Sequence, residues 1–128
     1  RVVRDLNIDP TLPFPDASFD ALICSVSVEY LTAPFAVFDE VARVLKPGGS
    51  AVTTFSNRCF PTKAVHIWQQ LHEFERMGLV LEYFRESGRF GDLNTWSLRG
   101  LRRPPEDRYS PRLQRADPLY AVWGRRLV

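Results

Sequence analysis

The order of apolar and polar positions predicts a strand, a loop and a second strand in the first part of the chain. Residues 2–6 form a short apolar run, and residues 7–18 carry three prolines, which leave little room for regular structure. Residues 19–28 are almost continuously apolar, with Ile23 and Val26 near the centre. Such a run is typical of a parallel strand that is buried on both faces.

A helix and another strand follow. Apolar side chains recur at helical spacing from Pro34 to Leu45, and a proline suits the first turn of a helix. Residues 47–49, Pro-Gly-Gly, are predicted to end this helix, because proline breaks the helical hydrogen bonds and glycine adopts positive φ. Residues 51–55 resume a β pattern. This order predicts a βαβ unit with a right-handed crossover.

Two helices are predicted in the second half of the chain. Thr62 is a candidate N-cap for a helix with apolar side chains in residues 64–71. A second apolar stripe begins at Leu79 and continues to Gly88, and Gly78 is the candidate break between the two helices.

Two short strand-like segments complete the pattern, at residues 95–98 and 119–124. A stretch that contains arginines and prolines separates them. Because strands and helices alternate along the chain, the fold class is predicted to be α/β, with a mostly parallel sheet and flanking helices.

Composition adds little to this fold but excludes some classes of protein. The chain has 128 residues, of which 45% are hydrophobic and 25% charged, as is ordinary for one soluble domain. No apolar run approaches the roughly 18 residues of a membrane span, so no membrane partner is expected. Cys24 and Cys59 lack the short spacings of a disulfide framework or a metal site. A cytoplasmic location, or an organelle stroma, is therefore expected.

Positive charge is concentrated towards the C-terminus. There are 4 basic and 7 acidic residues up to Ser50, and 13 basic and 8 acidic residues after it. Glu106 and Asp107 lie among the late arginines, so this segment is predicted to be a solvated linker, with a nucleic-acid patch as the alternative. The arginines concerned are Arg99, Arg102, Arg103, Arg108, Arg112 and Arg115.

Two motifs carry a family resemblance. Residues 12–20 are Leu-Pro-Phe-Pro-Asp-Ala-Ser-Phe-Asp, and residues 40–49 are Glu-Val-Ala-Arg-Val-Leu-Lys-Pro-Gly-Gly. Together, with one strand and one helix between them, they resemble the class I S-adenosylmethionine-dependent methyltransferases of the methyltransferase type 11 group. The resemblance covers the whole chain and implies a Rossmann-like fold.

The resemblance also implies a strand numbering. The family sheet has the order 3-2-1-4-5-7-6, with the seventh strand antiparallel, and residues 2–5, 19–26 and 49–55 correspond to the third, fourth and fifth strands. The last two strand-like segments correspond to the sixth and seventh. The first two strands have no counterpart, and the chain begins at Arg1 directly before an apolar pair. The expectation is a single, incomplete domain over residues 1–128, the C-terminal portion with strands 4-5-7-6.

S-adenosylmethionine is the cofactor that the resemblance implies. The family's glycine-rich loop after strand one is absent, and the glycines at 48–49 do not replace it, because they precede a strand. By resemblance, Asp5 would accept a hydrogen bond from the adenine amino group and Leu6 would pack near the ring. A turn formed by the Asp5 carboxylate is the alternative. Ser25 and Val26, at the end of a strand, would contact the methionine part.

Acceptor-binding candidates follow the fourth and fifth family strands. They are Glu29, Tyr30, Asn57, Arg58 and His66. Packing of the Tyr30 ring on the following helix, and a structural role for His66, are the alternatives. Methyl transfer mainly requires that the acceptor and the methyl group be aligned, so no catalytic residue is obligatory.

The expected function is methyl transfer to a small-molecule acceptor, with the isolated chain inactive. One alternative is a noncatalytic α/β interaction module, and another is an RNA-binding methyltransferase fragment. A strand without a neighbour would expose a hydrophobic edge, so self-association is also expected.

Overall fold

Four strands form a single sheet in the computed structural model, which describes residues 1–128. They are β1 (Phe19–Ser25), β2 (Leu45–Ser56), β3 (Phe90–Leu98) and β4 (Leu119–Arg126). The strand order is β1-β2-β4-β3, with β1 parallel to β2 and β4 antiparallel to both of its neighbours. Strand β3 therefore runs in the same direction as β1 and β2. The order matches strands 4-5-7-6 of the methyltransferase fold, which confirms the predicted fold class.

Helices cover one face of this sheet. They are α1 (Pro34–Val44), α2 (His66–Gln70) and α3 (Glu73–Glu86), with a short 3-10 helix at Val28–Tyr30. Helix α1 contacts β2, α3 contacts β3 and β4, and the two helices contact each other. Helix α1 begins at Pro34, where the apolar spacing predicts, because its apolar stripe fits against the inward-facing side chains of the strands.

The core lies between these helices and the sheet. Alternate residues of β2 point inwards, so Ala51, Thr53 and Phe55 are buried. The Phe55 ring packs edge-on against Trp68 of α2, with their centroids 5.0 Å apart, and Phe38 of α1 meets α3 in the same way. Such edge-to-face contacts add to the free energy gained by burying the rings.

The predicted strand at residues 2–6 is wrong. No strand forms there; Val3 is 83% exposed, and the carbonyl oxygen of Asp5 accepts hydrogen bonds from Ile8 and Asp9 in a turn. In the family sheet, strands two and one stand between strands three and four. This chain has no segment in those two places, so residues 2–6 have no backbone partner to pair with.

The break between the two later helices also differs from the prediction. It lies at Leu71, and Gly78 is inside α3. Helix α3 begins after His72, whose backbone N–H donates a hydrogen bond to the Glu75 carboxylate at 3.0 Å in a capping box. This cap outweighs the weak helix propensity of one glycine. Thr62 is not an N-cap, because α2 begins only at His66.

Strand boundaries shift in both directions. Strand β2 starts at Leu45, so Pro47 and both glycines belong to an irregular strand entry and not to the end of α1. Strand β3 starts at Phe90, earlier than predicted, and β4 extends to Arg126.

Strand β1 is buried on one face only, which corrects the prediction of burial on both faces. It ends at Ser25, it is an edge strand, and Ile23 is 73% exposed. Ile23 pairs with Val52, and Val52 with Trp123, so these three side chains point to the face that no helix covers. No helix has the combination of length and hydropathy that a membrane span requires.

Candidate active site at the carboxyl ends of the strands

The loops that follow β1, β2 and β3 meet at one end of the sheet, because these three strands run in the same direction. In open α/β sheets, ligands bind at this end, outside the carboxyl ends of the strands.

Helix α1 holds the segment before β1 through Glu40 and Arg43. The Arg43 guanidinium donates to the carbonyl oxygens of Leu12 and Phe14, both at 2.9 Å, and pairs with Asp16 at 2.7 Å. The Glu40 carboxylate accepts the Leu12 N–H at 2.8 Å and also binds Arg43. Hydrogen bonds to Glu40 and then to Asp16 raise the pKa of Arg43, so its charge is permanent. The two motifs that carry the resemblance thus contact each other directly.

Asp5 and Leu6 lie beside the loop that follows β1. The Asp5 carboxylate accepts the Asn7 N–H at 2.9 Å, which is the turn bond of the alternative interpretation, but the side chain remains exposed. The Asn7 side chain donates to the carbonyl oxygen of Tyr30 at 2.8 Å and accepts the N–H of Thr32 at 2.9 Å. Asn7 therefore joins the two segments. A short polar residue after the apolar run was its only signal in the sequence.

A shallow depression of about 390 Å³ is the result of this junction. Asp5, Leu6, Ser27 and Tyr30 line it together. It adjoins an apolar cavity of about 450 Å³ under α1, since Leu6 and Ser27 line both the depression and the cavity. Ser25 also lines the apolar cavity.

The end of β1 has an unusual backbone. Val26 has a φ of 49°, although β-branched residues strongly avoid the left-handed region. Its N–H donates to the carbonyl oxygen of Thr54 at 2.8 Å, and the Thr54 hydroxyl bonds to that of Ser25 at 3.1 Å. These bonds to β2 hold the turn in place, and they leave Ser25 and Val26 exposed at the strand end. The sequence gives no sign of the part played by Thr54.

Glu29 is buried and does not face the space where an acceptor would bind, contrary to the prediction. Only 1% of it is exposed, and neither carboxylate oxygen has a hydrogen-bond partner. The indole N–H of buried Trp68 is also unpaired. Burial raises the pKa of Glu29, and the charge of Arg76 opposes that shift only in part. The residue before α2 contacts this segment, since the N–H of Val65 donates to the Glu29 carbonyl oxygen at 3.0 Å.

Tyr30 connects the loops after β1 and β2. Its hydroxyl accepts the N–H of Phe60 at 3.0 Å, and the two rings lie 6.4 Å apart. The ring therefore packs on the loop after β2, and it also packs against the hydrophobic core. The half-buried side chain still lines the depression beside Asp5.

Arg58 is held by the segment between β3 and β4. Its guanidinium pairs with Asp117 at 2.9 Å and stacks over the Tyr109 ring at 5.2 Å. Asn57 is exposed and lines a polar cavity of about 450 Å³ together with Arg76 and residues from the start of α3. Asn57 and Arg58 thus form the rim of the candidate site on the side of the loop that follows β2.

His66 is not brought to the other candidates. It is exposed at the start of α2, where its ring nitrogen bonds to Gln70 at 3.0 Å. No group of three or more His, Cys, Asp or Glu side chains is placed to hold a metal ion.

The residues present fit one side of S-adenosylmethionine. An exposed carboxylate beside an apolar side chain can accept the adenine amino group and cover the ring, as Asp5 and Leu6 could do. No glycine-rich loop follows a strand here. Gly49 lies at the other end of the sheet, where an added Cβ would come within 2.9 Å of the carbonyl oxygens of Asp20 and Lys46. That close backbone approach explains Gly49 without a ligand.

Comparisons with known proteins agree with this geometry. Residues 2–53 match the family described as a methyltransferase domain. A biotin biosynthesis bifunctional protein BioHC from Teredinibacter turnerae is 36% identical over 73 residues, which are 56% of this chain and 12% of that protein.

Solved structures share the fold. A SAM-dependent methyltransferase from Thermotoga maritima matches with a TM-score of 0.63 and 16% identity, over 91% of this chain and 60% of its own. A Haloferax volcanii methyltransferase, solved in complex with the activator Trm112, matches with a TM-score of 0.64 and 20% identity. That match covers 99% of this chain and 61% of the other. The chain thus spans about three fifths of these two structures and a small part of the BioHC protein.

Proposed function

We propose that this chain is part of a class I S-adenosylmethionine-dependent methyltransferase domain and forms the acceptor side of an enzyme that methylates a small molecule. The observation that carries this proposal is the depression at the end of β1, where Asp5, Leu6 and Tyr30 line the same space. A carboxylate, an apolar side chain and a phenol ring at the carboxyl end of a parallel strand suit a nucleoside-containing ligand.

Four residues are proposed to contact the cofactor, which supplies a methyl group on a positively charged sulfur when it is bound. Asp5 accepts a hydrogen bond from the adenine amino group, and Leu6 covers the ring. Ser25 and Val26 limit the space at the end of β1, where Thr54 fixes their backbone.

Acceptor binding is proposed for Tyr30, Asn57 and Arg58. They lie on the loops after β1 and β2 and are held by bonds to Phe60, Arg76 and Asp117, respectively. A rim fixed in this way can align an acceptor, which is the main requirement of an in-line displacement. Glu29 and His66 are left out of this surface, because Glu29 is buried and His66 is exposed at the start of α2.

Residues outside this chain are proposed to complete the cofactor pocket, so that residues 1–128 form one incomplete domain that is inactive alone. Two observations support this. Strand β1 has a free edge, and the sheet face that carries Ile23 and Trp96 is uncovered. The two similar solved structures are longer than the part that this chain matches.

The test uses this chain joined to the residues that are proposed to complete the pocket. Its affinity for S-adenosylhomocysteine is measured by calorimetry in the parent and in Asp5→Asn. Asparagine keeps the turn bond to Asn7 but replaces one acceptor oxygen by a donor, so we expect binding to weaken by about tenfold or more.

Asp20→Asn is the matched control. Asp20 is an exposed aspartate at the other end of β1, paired with Lys46 at 3.0 Å. Its substitution is expected to leave the affinity unchanged. Equal affinities for the Asp5 and Asp20 variants would contradict the proposed adenine contact, and an extended protein without cofactor binding would contradict the function.

A further inference from the structure

The arginine-containing segment between β3 and β4 is folded and is not a loose linker. Arg102 and Arg115 pair in an antiparallel bridge. The N–H of Arg103 donates to the carbonyl oxygen of Gln114, and the N–H of Ala116 to that of Leu101, both at 2.8 Å. The two arms of the segment are therefore held in a fixed register.

Arg103 anchors this structure from within. It is buried, and its guanidinium donates to the carbonyl oxygens of Leu113 and Arg115 at 3.1 and 3.2 Å. The same guanidinium pairs with Asp107 at 3.4 Å and with Asp117 at 3.3 Å. These two carboxylates compensate the buried charge, and Asp117 also pairs with Arg58.

Arg102 and Arg115 are left with like charges directly opposite each other. Residues paired across a bridge point to the same side, and like charges in such a pair are destabilising. Both side chains line a cavity of about 510 Å³, together with Arg103, Ser110 and Gln114. No apolar side chain and no carboxylate lines this cavity, which distinguishes it from the apolar cavity under α1.

We propose that this cavity binds a phosphate group. Arg102 and Arg115 bring two guanidinium groups to the lining, and Ser110 and Gln114 add neutral donors. One N–H group of Arg115 donates to the carbonyl oxygen of Gly100 at 2.8 Å, and the guanidinium keeps further donors for a ligand. A phosphate group presents at least two terminal oxygens in a tetrahedral arrangement, and a free phosphate or a monoester carries close to two negative charges, so it can bridge both guanidinium groups and relieve their repulsion. A carboxylate offers only one charge and one plane of acceptors.

The site lies at the end of the sheet where the candidate acceptor residues are. It follows the carboxyl end of β3, and Arg58 connects it to the loop after β2 through Asp117 and Tyr109. A phosphate bound here would hold the remainder of its molecule near that rim. The inference depends on the residues of the segment and not on methyl transfer.

The first test is a titration of the full chain with inorganic phosphate. The chemical shifts of its backbone amides, measured by NMR, report the binding. Arg102→Gln and Arg115→Gln are each expected to weaken binding by about tenfold or more, the loss expected for one charge-assisted hydrogen bond. Arg112→Gln is the control, because Arg112 is an exposed arginine of the same segment that does not line the cavity. Equal binding by all four proteins would overturn the proposal, as would an equal loss in the control.

A second readout does not depend on a binding curve. Without phosphate, Arg102→Gln is expected to raise the midpoint of thermal unfolding, because it removes one of two facing charges. Phosphate is expected to raise the midpoint of the parent and of Arg112→Gln but not that of Arg102→Gln. A phosphate-induced increase of the same size in all three would overturn the site.

Two further ligands identify the source of the phosphate. Glycerol 3-phosphate represents a small phosphorylated molecule, and a short single-stranded RNA represents a nucleic-acid backbone. RNA that binds more tightly than the small ester, with an affinity that falls steeply with salt, would identify nucleic acid as the source. Equal affinities would identify a small molecule. Either result supports the site only if Arg102→Gln weakens binding, and unchanged binding of both ligands overturns it.

Discussion

The guanidinium group of Arg43 donates a hydrogen bond to the carbonyl oxygen of Leu12 at 2.9 Å. The same side chain reaches Phe14 and Asp16, while Glu40, one turn earlier on α1, accepts the N–H of Leu12. Helix α1 therefore fixes the segment that leads into β1. A planar group with five donors is needed for this set of contacts, which a lysine cannot reproduce.

Arg43→Lys is expected to lower the midpoint of thermal unfolding by several degrees. Lysine keeps the charge but offers a single ammonium, so most of the bonds to the segment before β1 are lost. Circular dichroism measures the change. Arg85→Lys is the matched control, since exposed Arg85 makes one ion pair with Glu82. If both variants unfold at the temperature of the parent, the connection through Arg43 contributes nothing to stability.

Val26→Gly is expected to stabilise the chain by about 1 kcal/mol. A residue held in a disfavoured region of φ and ψ costs about 1–3 kcal/mol, and the substitution removes that cost. Glycine adopts a φ of 49° without strain, whereas valine does not. Val52→Gly, in the regular part of β2, is the control and should destabilise the chain. Urea titration measures both. A destabilised Val26→Gly variant would show that the turn at the end of β1 is not strained.

Glu29→Gln is expected to change how stability depends on pH. The pKa of Glu29 in the folded chain is raised by burial above its ordinary value of 4.5, so the folded chain binds this proton more tightly than the unfolded chain. Its contribution to stability is complete below pH 4.5 and is lost as the pH rises through the folded pKa. The glutamine variant should therefore gain stability relative to the parent as the pH is raised to neutral.

The difference in unfolding free energy between the parent and Glu29→Gln reports Glu29 alone. Carboxylates whose pKa is lowered in the folded chain, such as Glu40, change stability with pH in the opposite direction but are the same in both proteins. Urea titrations from pH 4 to pH 7.5, or about that range, measure the difference. Glu86→Gln, an exposed position on α3, is the control and should follow the parent. A difference for Glu29→Gln that does not change with pH would show that this carboxyl group is not buried.

Ile23→Lys is expected to reduce self-association of the chain. Ile23 is exposed on the edge strand β1, beside the uncovered face of the sheet, and a lysine at an edge opposes pairing between copies. Sedimentation velocity at two concentrations measures the change. Ile8→Lys is the control, because Ile8 is equally apolar and exposed but lies outside the sheet. A parent that is monomeric at both concentrations would contradict the expectation.

The βαβ unit could be predicted from the sequence, because the spacing of apolar residues within each element indicates which side chains face the core. It also led to the correct strand order, through a resemblance whose two motifs meet at Glu40 and Arg43. Residues 2–6 could not be predicted, since an apolar run becomes a strand only when a partner strand is present. Glu29 is buried and does not face an acceptor, and the local pattern could not predict this, because the segment that bonds to it, at Val65, lies more than thirty residues later in the chain.

The site could be predicted only in outline. Tyr30 and Arg58 were identified as candidates by their place after a strand, but their partners, Phe60 and Asp117, are distant in sequence. The sequence predicts a solvated linker for the late arginines, because Glu106 and Asp107 lie among them. In the structure Asp107 and Asp117 both pair with buried Arg103. The fold determines which arginine these carboxylates bind, so the pairing could not be predicted from the sequence.

Titration of the 128-residue chain with S-adenosylhomocysteine by calorimetry tests the central claim most directly. If this chain holds one side of a cofactor pocket, the folded chain alone should show no saturable binding below about millimolar concentration, which corresponds to roughly 4 kcal/mol of binding free energy. Saturable binding at micromolar concentration by the chain alone would contradict the account, because it would require a complete pocket within these residues.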